Sequence, residues 1–163
     1  MKIMQYFQSI KFLKIKIILF LLLFSIGCRK NIFPKTISSL EKLSQHHFVD
    51  NQVYLVIPNA GCDGCISYSE EFVKTNYKKY PNLIFILTSI SSQKKLKYIL
   101  GDSILKSNNV VIDSNNVFLY PQNENKIYPL VIYTNKDNIT KIEYQNPNSE
   151  GIGNLITYYA THK

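Results

Sequence analysis

The chain has no tryptophan, only three cysteines and no apolar run long enough to cross a bilayer. Each shortage excludes something. A CxxC supplies two thiolates, and a third cysteine far away does not complete the four ligands of a closed metal site. The apolar stretch Ile17 to Ile26 (IILFLLLFSI) is too short to span, since a helix crossing ~30 Å of hydrocarbon needs roughly 20 residues. There is no internal repeat and no low-complexity tract. The formal net charge of +8 is also weaker than it looks. Lys2, Lys11, Lys14 and Lys16 lie in the first 27 residues, which hold no acid; the rest keeps 15 basic against 11 acidic residues, a net +4. An excess that small, spread along the chain, is no nucleic-acid footprint, and no nucleic-acid partner is expected. Lys94, Lys95 and Lys97, clustered with Tyr98, read as the solvated face of a helix.

What is present begins with a leader. The four lysines form a positive n-region, Ile17 to Ile26 an apolar core, and small residues precede position 28, as in an exported signal peptide. Gly27-Cys28 resembles the lipobox of bacterial lipoproteins, with Ser25 where that box usually carries an aliphatic residue. The resemblance implies that Cys28 is acylated and becomes the new N-terminus. The protein would then be lipid-anchored at a bacterial membrane, facing the periplasm or the cell exterior, where disulfides form and persist. An ordinary signal peptide, or an uncleaved anchor that happens to end near a cysteine, is the alternative. Residues 1–27 are therefore read as the signal peptide, 28–35 as a tether and 36–163 as one domain, a length with room for one core but not two.

Within that domain the pattern alternates. Thr36 to His47 carries Ile37, Leu40 and Leu43 at helical spacing. Val53 to Ile57 (VYLVI) is a buried strand, broken by Pro58-Asn59-Ala60-Gly61. A helix runs from Cys62 to about Tyr80, and Leu83 to Thr88 (LIFILT) is a second strand. Ser91 to Leu100 is a helix with Gly101 just past its end. Val110 to Ile112 and Val117 to Leu119 are short extended pieces around Asp113-Ser114-Asn115-Asn116. Leu130 to Thr134 (LVIYT) pairs through a turn with Ile139 to Tyr144, and a last helix spans about Ser149 to Tyr159. Apolar central strands between helices imply an α/β domain, a sheet with helices on both faces.

The chemistry centres on Gly61-Cys62-Asp63-Gly64-Cys65. A thiolate is the nucleophile of disulfide exchange, and a helix N-terminus lowers a thiol's pKa with its unpaired N–H groups and positive dipole end. The spacing sets Cys62 at that end, exposed, and Cys65 one turn behind within bridging distance. Cys62 is expected to attack first and Cys65 to resolve the mixed disulfide. Gly64 lets the turn form without strain. Asp63 sets a negative charge beside the nucleophile, and no cation lies between the cysteines, which favours the reductase or isomerase direction. Two other readings stay open. One is a stable disulfide that staples a turn, although so short a loop gains little from cross-linking. The other is a metal site, for which only His46 or His47 is a further mid-chain ligand; His162 sits near the end of the chain.

At this point the chain resembles the thioredoxin-fold family. A CxxC follows the first core strand and opens a helix, Pro129 immediately precedes the strand LVIYT, and a hairpin and terminal helix close the domain. The resemblance implies a thioredoxin-like central mixed sheet with an insertion in the 63 residues between Cys65 and Pro129. It implies a cis bond before Pro129, beside the cysteines, with Tyr128 offering its backbone N–H and C=O to an incoming peptide. It implies thiol-disulfide exchange with the thiols or disulfides of exported proteins, without a cofactor or metal, recharged by a membrane electron donor. Three departures stand out. Gly61 occupies the position where the family often has Trp, VYLVI has no buried acid, and a little after the second cysteine, where a kinking Pro or a Glu is common, this chain has Tyr68 and then Glu70-Glu71. A non-catalytic lipoprotein that binds a partner is the contrasting class.

Overall fold

A computed structural model describes residues 33–43, 51–80, 82–119, 124–136 and 138–161. The leader, Cys28, most of the tether, His46, His47 and His162 lie outside the described residues, as does Tyr120 to Asn123.

The described chain opens with helix α1 (Pro34–Leu43) and enters the sheet at β1 (Val53–Pro58), in which every residue is buried. Helix α2 (Asp63–Asn76) leads to β2 (Leu83–Thr88), then α3 (Gln93–Leu100), the short α4 (Asp102–Leu105) and β3 (Val110–Ile112). A 3₁₀ turn (Glu124–Ile127) precedes β4 (Leu130–Asn135); β5 (Asn138–Asn146), β6 (Ser149–Glu150) and α5 (Gly151–Thr161) follow. The strands form one six-stranded sheet in the order β3-β2-β1-β4-β5-β6. β1, β2 and β3 run parallel, and β4, β5 and β6 are antiparallel to their neighbours. The fold is thus α/β with an open mixed sheet.

Alternation along the central strands sends side chains to two cores, because successive residues of a strand point to opposite faces. Val53, Leu55 and Ile57 join Phe85, Leu87, Val131 and Tyr133 under Ile66, Phe72 and Val73 of α2, Leu96 and Leu100 of α3, and Ile152 and Leu155 of α5. Tyr54, Val56, Ile86, Leu130 and Ile132 face the other way, against Leu40 of α1 and Phe118. Helices therefore lie on both faces. Burying each Val, Leu, Ile or Phe of these runs contributes ~1.5–3 kcal/mol. α3 starts at Ser92, whose hydroxyl accepts the Lys95 N–H at 3.2 Å, and stops at Gly101, whose φ of 79° suits glycine.

The structure departs from the sequence expectations at four places. α2 ends at Asn76, its last turn capped by the Tyr77 N–H on Val73 O, instead of reaching Tyr80. Val117 to Leu119 is a turn and not a strand. The Asp113 carboxylate accepts the Val117 and Phe118 N–H groups at 3.0 and 3.1 Å, which takes up the groups a ladder would need. Ser149–Glu150 pairs with Gln145–Asn146 before the last helix begins. Finally, the bond before Pro129 is trans, not cis. X–Pro bonds favour trans by ~0.5–1 kcal/mol unless tertiary contacts reverse it. Here the flanking contacts, the Tyr128 N–H to Asn125 O and the Ile127 O to the Cys62 N–H, are made with the trans bond in place.

Candidate functional site

The site lies where the parallel strands end. β1 delivers the chain at Pro58, and the Asn59 N–H is bonded to Thr88 O at 2.9 Å, so the loop starts pinned to the end of β2. Gly61 then turns the chain and Cys62 caps α2 with extended backbone (φ −71°, ψ 97°). The Cys62 sulfur accepts the Cys65 N–H at 3.4 Å, and the Ile66 N–H reaches Cys62 O at 2.9 Å. Cys62 and Cys65 are joined as a disulfide across a Cα–Cα distance of 5.3 Å. Both cysteines are half-buried, so the expected contrast between an exposed Cys62 and a sheltered Cys65 is muted in the oxidised state. Asp63 and Gly64 between them are exposed. Gly64 has open space where a Cβ would go, and its backbone is ordinary. The turn does not need this glycine.

It does need Gly61. Its φ is +146°, which L side chains rarely adopt, and a Cβ there would drive into Ile127, meeting its O and, at 2.7 Å, its Cα and Cβ. The absence of a side chain lets two segments touch: the Cys62 N–H donates to Ile127 O at 3.1 Å. A Trp at position 61 would not fit this approach. Ile127 itself is 37 % exposed beside the disulfide. Two residues on, Pro129 is buried at the head of β4, and its carbonyl accepts the Gln145 N–H at 2.9 Å. β4 lies inside the sheet, between β1 and β5. Tyr128 is half-buried, and its N–H is already taken by Asn125 O at 3.0 Å as the 3₁₀ turn closes. That N–H is not available to an incoming peptide, contrary to the expectation for Tyr128.

Two acids on the elements that carry and flank the site are buried. Glu70, 8 % exposed, lies on α2 beyond the cysteines. Burial raises its carboxyl above the ordinary range, while Lys74 and Lys95 pull it back down. Asp113 is 1 % exposed and fastens the end of β3: its carboxylate also accepts the Thr88 hydroxyl at 2.8 Å, beside its two backbone donors. The sequence marked Asp113 to Asn116 only as a turn, because nothing local tells that a turn aspartate reaches Thr88, 25 residues back. For Gly61 and Ile127 the only signal was glycine in the position where the related family often carries Trp.

Among the described residues no three His, Cys, Asp or Glu side chains come together as a metal site, and no helix is long and apolar enough to cross a membrane. No protein-family model, no curated protein and no solved structure matches this chain.

Proposed function

We propose that this chain is a thioredoxin-like lipoprotein, anchored through Cys28, that exchanges disulfides with exported proteins through Cys62 and Cys65, in the reductase or isomerase direction. One observation carries the reading. A CxxC disulfide caps the helix that follows a central strand and is hydrogen-bonded, through Cys62 N–H to Ile127 O, to the segment leading into Pro129 and the neighbouring antiparallel strand. Stapling alone does not call for a pair set at a helix N-terminus, since a disulfide closing so short a loop stabilises little. The helix end favours the thiolate that exchange requires.

In this reading Cys62 is the nucleophile and Cys65 the resolving thiol. Ile127 and Tyr128 form the rim against which a substrate settles, with the Tyr128 carbonyl rather than its N–H as the contact. A membrane electron donor would return the pair to its dithiol. The half-burial of both cysteines and the occupied Tyr128 N–H favour the second reading, a partner-binding domain with a structural disulfide. The redox potential of the pair separates them. A value near ~−270 mV supports exchange, and one below about −300 mV marks an inert bridge. The Cys65→Ser variant should trap mixed disulfides with exported proteins, and Cys62→Ser should trap few. Equal, slow alkylation of both thiols in the reduced protein would sink the catalytic reading. Cys28→Ala should abolish acylation and release the chain from detergent phases.

A further inference from the structure

From Phe72 to Gly101 the chain contains six lysines and no acid. The fold does not spread them evenly. Ser91, at the mouth of α3, is tied to the loop that leads into the disulfide: its hydroxyl and N–H both reach Asn59 Oδ1, at 3.2 and 3.4 Å. Asn59 is three residues before Cys62. The first turn of α3, carrying exposed Lys94 and Lys95, is therefore bolted beside the site. Lys95 is also close enough to Glu70 of α2 to act on its carboxyl, and Glu70 is eight residues from Cys62, ~12 Å of helix rise.

The remaining charges on these elements offset this field only in part. Lys74 is ion-paired with Glu71 at 3.3 Å and Lys97 with Asp102 at 2.8 Å; among the described residues no ion pair holds Lys94 or Lys95, although the buried Glu70 acts on Lys95. Asp63, between the cysteines, is the one exposed acid of the loop, and Lys126 is exposed next to Ile127 on the opposite flank. The exposed apolar groups on these elements are aromatic or single: Tyr68 at 49 %, Ile127 at 37 % and, on α3 one turn from the two lysines, Tyr98 at 90 %. Charge then distinguishes substrates of similar shape, because it steers encounter and sets partner choice more than it adds raw affinity.

Resting on the exchange reading above, we infer that the substrates of this site are acidic, disulfides flanked by carboxylates, drawn by the shoulder of Lys94 and Lys95 at the positive end of α3. The step is ordinary exchange. The Cys62 thiolate attacks one substrate sulfur, the substrate S–S bond breaks, and the departing thiolate takes a proton from water. The Cys65 thiolate then attacks Cys62, releasing the second substrate thiol, so that two electrons pass from the dithiol to the substrate. The lysines touch no reacting atom; they are specificity residues.

Three small disulfides of different charge test this: glutathione disulfide (anionic), 2-hydroxyethyl disulfide (neutral) and cystamine (cationic). The full protein, held in nonionic detergent and reduced with dithiothreitol that is then removed, is mixed with each, and oxidation of the Cys62–Cys65 pair is timed. Intrinsic reactivity differs among the three, so the readout is how each rate responds to salt and to substitution. Between about 0.02 M and about 1 M salt the Debye length shrinks from over 20 Å to ~3 Å. Oxidation by glutathione disulfide should slow roughly threefold, that by cystamine should quicken, and the neutral rate should hold. Lys94→Gln/Lys95→Gln should slow glutathione disulfide two- to threefold at low salt and leave 2-hydroxyethyl disulfide unchanged, while Lys94→Arg/Lys95→Arg restores the preference. A glutathione disulfide rate indifferent to salt, or equal in wild type and the Gln variant, would overturn the inference and leave the exchange reading standing. If none of the three disulfides is reduced, both fall together.

Discussion

The two ends of the sheet are built by different means. At the end where β1, β2 and β3 stop, small and polar residues tie loops together with directional bonds. Asp113 gathers Thr88, Val117 and Phe118; Asn59 holds Ser91; Asn116 Oδ1 accepts the Ser89 N–H at 3.0 Å. Ser89 and Asn116 take left-handed backbone, at φ 55° and 52°, to make these loops. Toward the other end, Asn109 also ties loops, its amide donating to Tyr77 O and Leu83 O at 2.6 and 3.2 Å, but aromatic rings join in there. Tyr80 stacks on Tyr159 at 4.3 Å and on Phe72 at 6.4 Å, and Tyr158 meets Tyr133 and Tyr159 edge-on at 5.2 and 5.4 Å. A groove of about 370 Å³ bordered by Tyr133, Lys141, Asn154 and Tyr158 opens there. Precision is needed where the disulfide sits. Rings stabilise by area and tolerate sliding, whereas a disulfide that must meet a partner needs its loop fixed in direction, and hydrogen bonds fix direction.

Breaking the polar end should therefore cost more per residue than altering the aromatic one. The largest effect is expected for Asp113→Ala, which leaves two backbone N–H groups and a buried hydroxyl without their acceptor. At ~1–3 kcal/mol for each unmade bond, partly relieved by water, the loss should be about 4 kcal/mol in a urea titration. Unchanged stability would mean that the carboxylate does not hold these loops.

Gly61→Ala comes next. The strained φ and the collision with Ile127 should cost about 2–3 kcal/mol. They should also separate the CxxC loop from the Pro129 segment, and exchange of the Cys62 N–H should quicken in a hydrogen–deuterium experiment. Gly64→Ala, with open space around it, is the contrast and should be close to neutral.

The aromatic end should even improve. The Tyr159 hydroxyl is buried without a hydrogen-bond partner among the described residues, and burial, with Tyr158 and Tyr80 beside it, holds its ionisation above the ordinary tyrosine range. Tyr159→Phe keeps the stack and removes the unsatisfied group, so stability should rise by about 1 kcal/mol. A loss on that scale would reveal a bond to the hydroxyl.

The smallest effect is expected at Glu70. Its carboxyl is raised by burial, so its folded pKa lies above the unfolded one. The stability it contributes is fully present below the ordinary carboxylate range and is lost as pH rises through the folded pKa. Glu70→Gln should thus melt slightly higher than wild type at neutral pH, and the advantage should vanish in acid. A variant that melts lower at neutral pH would show that Lys74 and Lys95 outweigh burial.

Much of the architecture was legible because the signals were local. Strand VYLVI was read to within one residue of β1, LIFILT coincides with β2, and Gly101 closes α3 as a C-terminal glycine should. Each is a run whose composition alone selects its state. The CxxC pair was legible for the same reason, since three residues of separation at a helix start bring two sulfurs within bonding reach whatever the rest of the chain does. The failures came from side-chain partners that the composition of a run does not report. Val117 to Leu119 looks extended, but a carboxylate four residues back claims its N–H groups. Glu70 is exposed in any isolated helix but 8 % exposed in the folded chain, with Lys95 of α3 close enough to act on its carboxyl.

Five of the six strands, a cysteine pair at a helix start and the basic, acid-free stretch that follows are written locally in the chain, because they depend on residues within a turn or two of each other. Folding made Gly61 a point of contact, brought the Pro129 segment to it with a trans bond and the Tyr128 N–H already spent, and tied the start of α3, just before Lys94 and Lys95, to the loop that leads into the disulfide. Those facts join Cys62 to Ile127 and Asn59 to Ser91, pairs 65 and 32 residues apart. Such pairings are set by how the strands stack into one sheet, and no local propensity encodes that order.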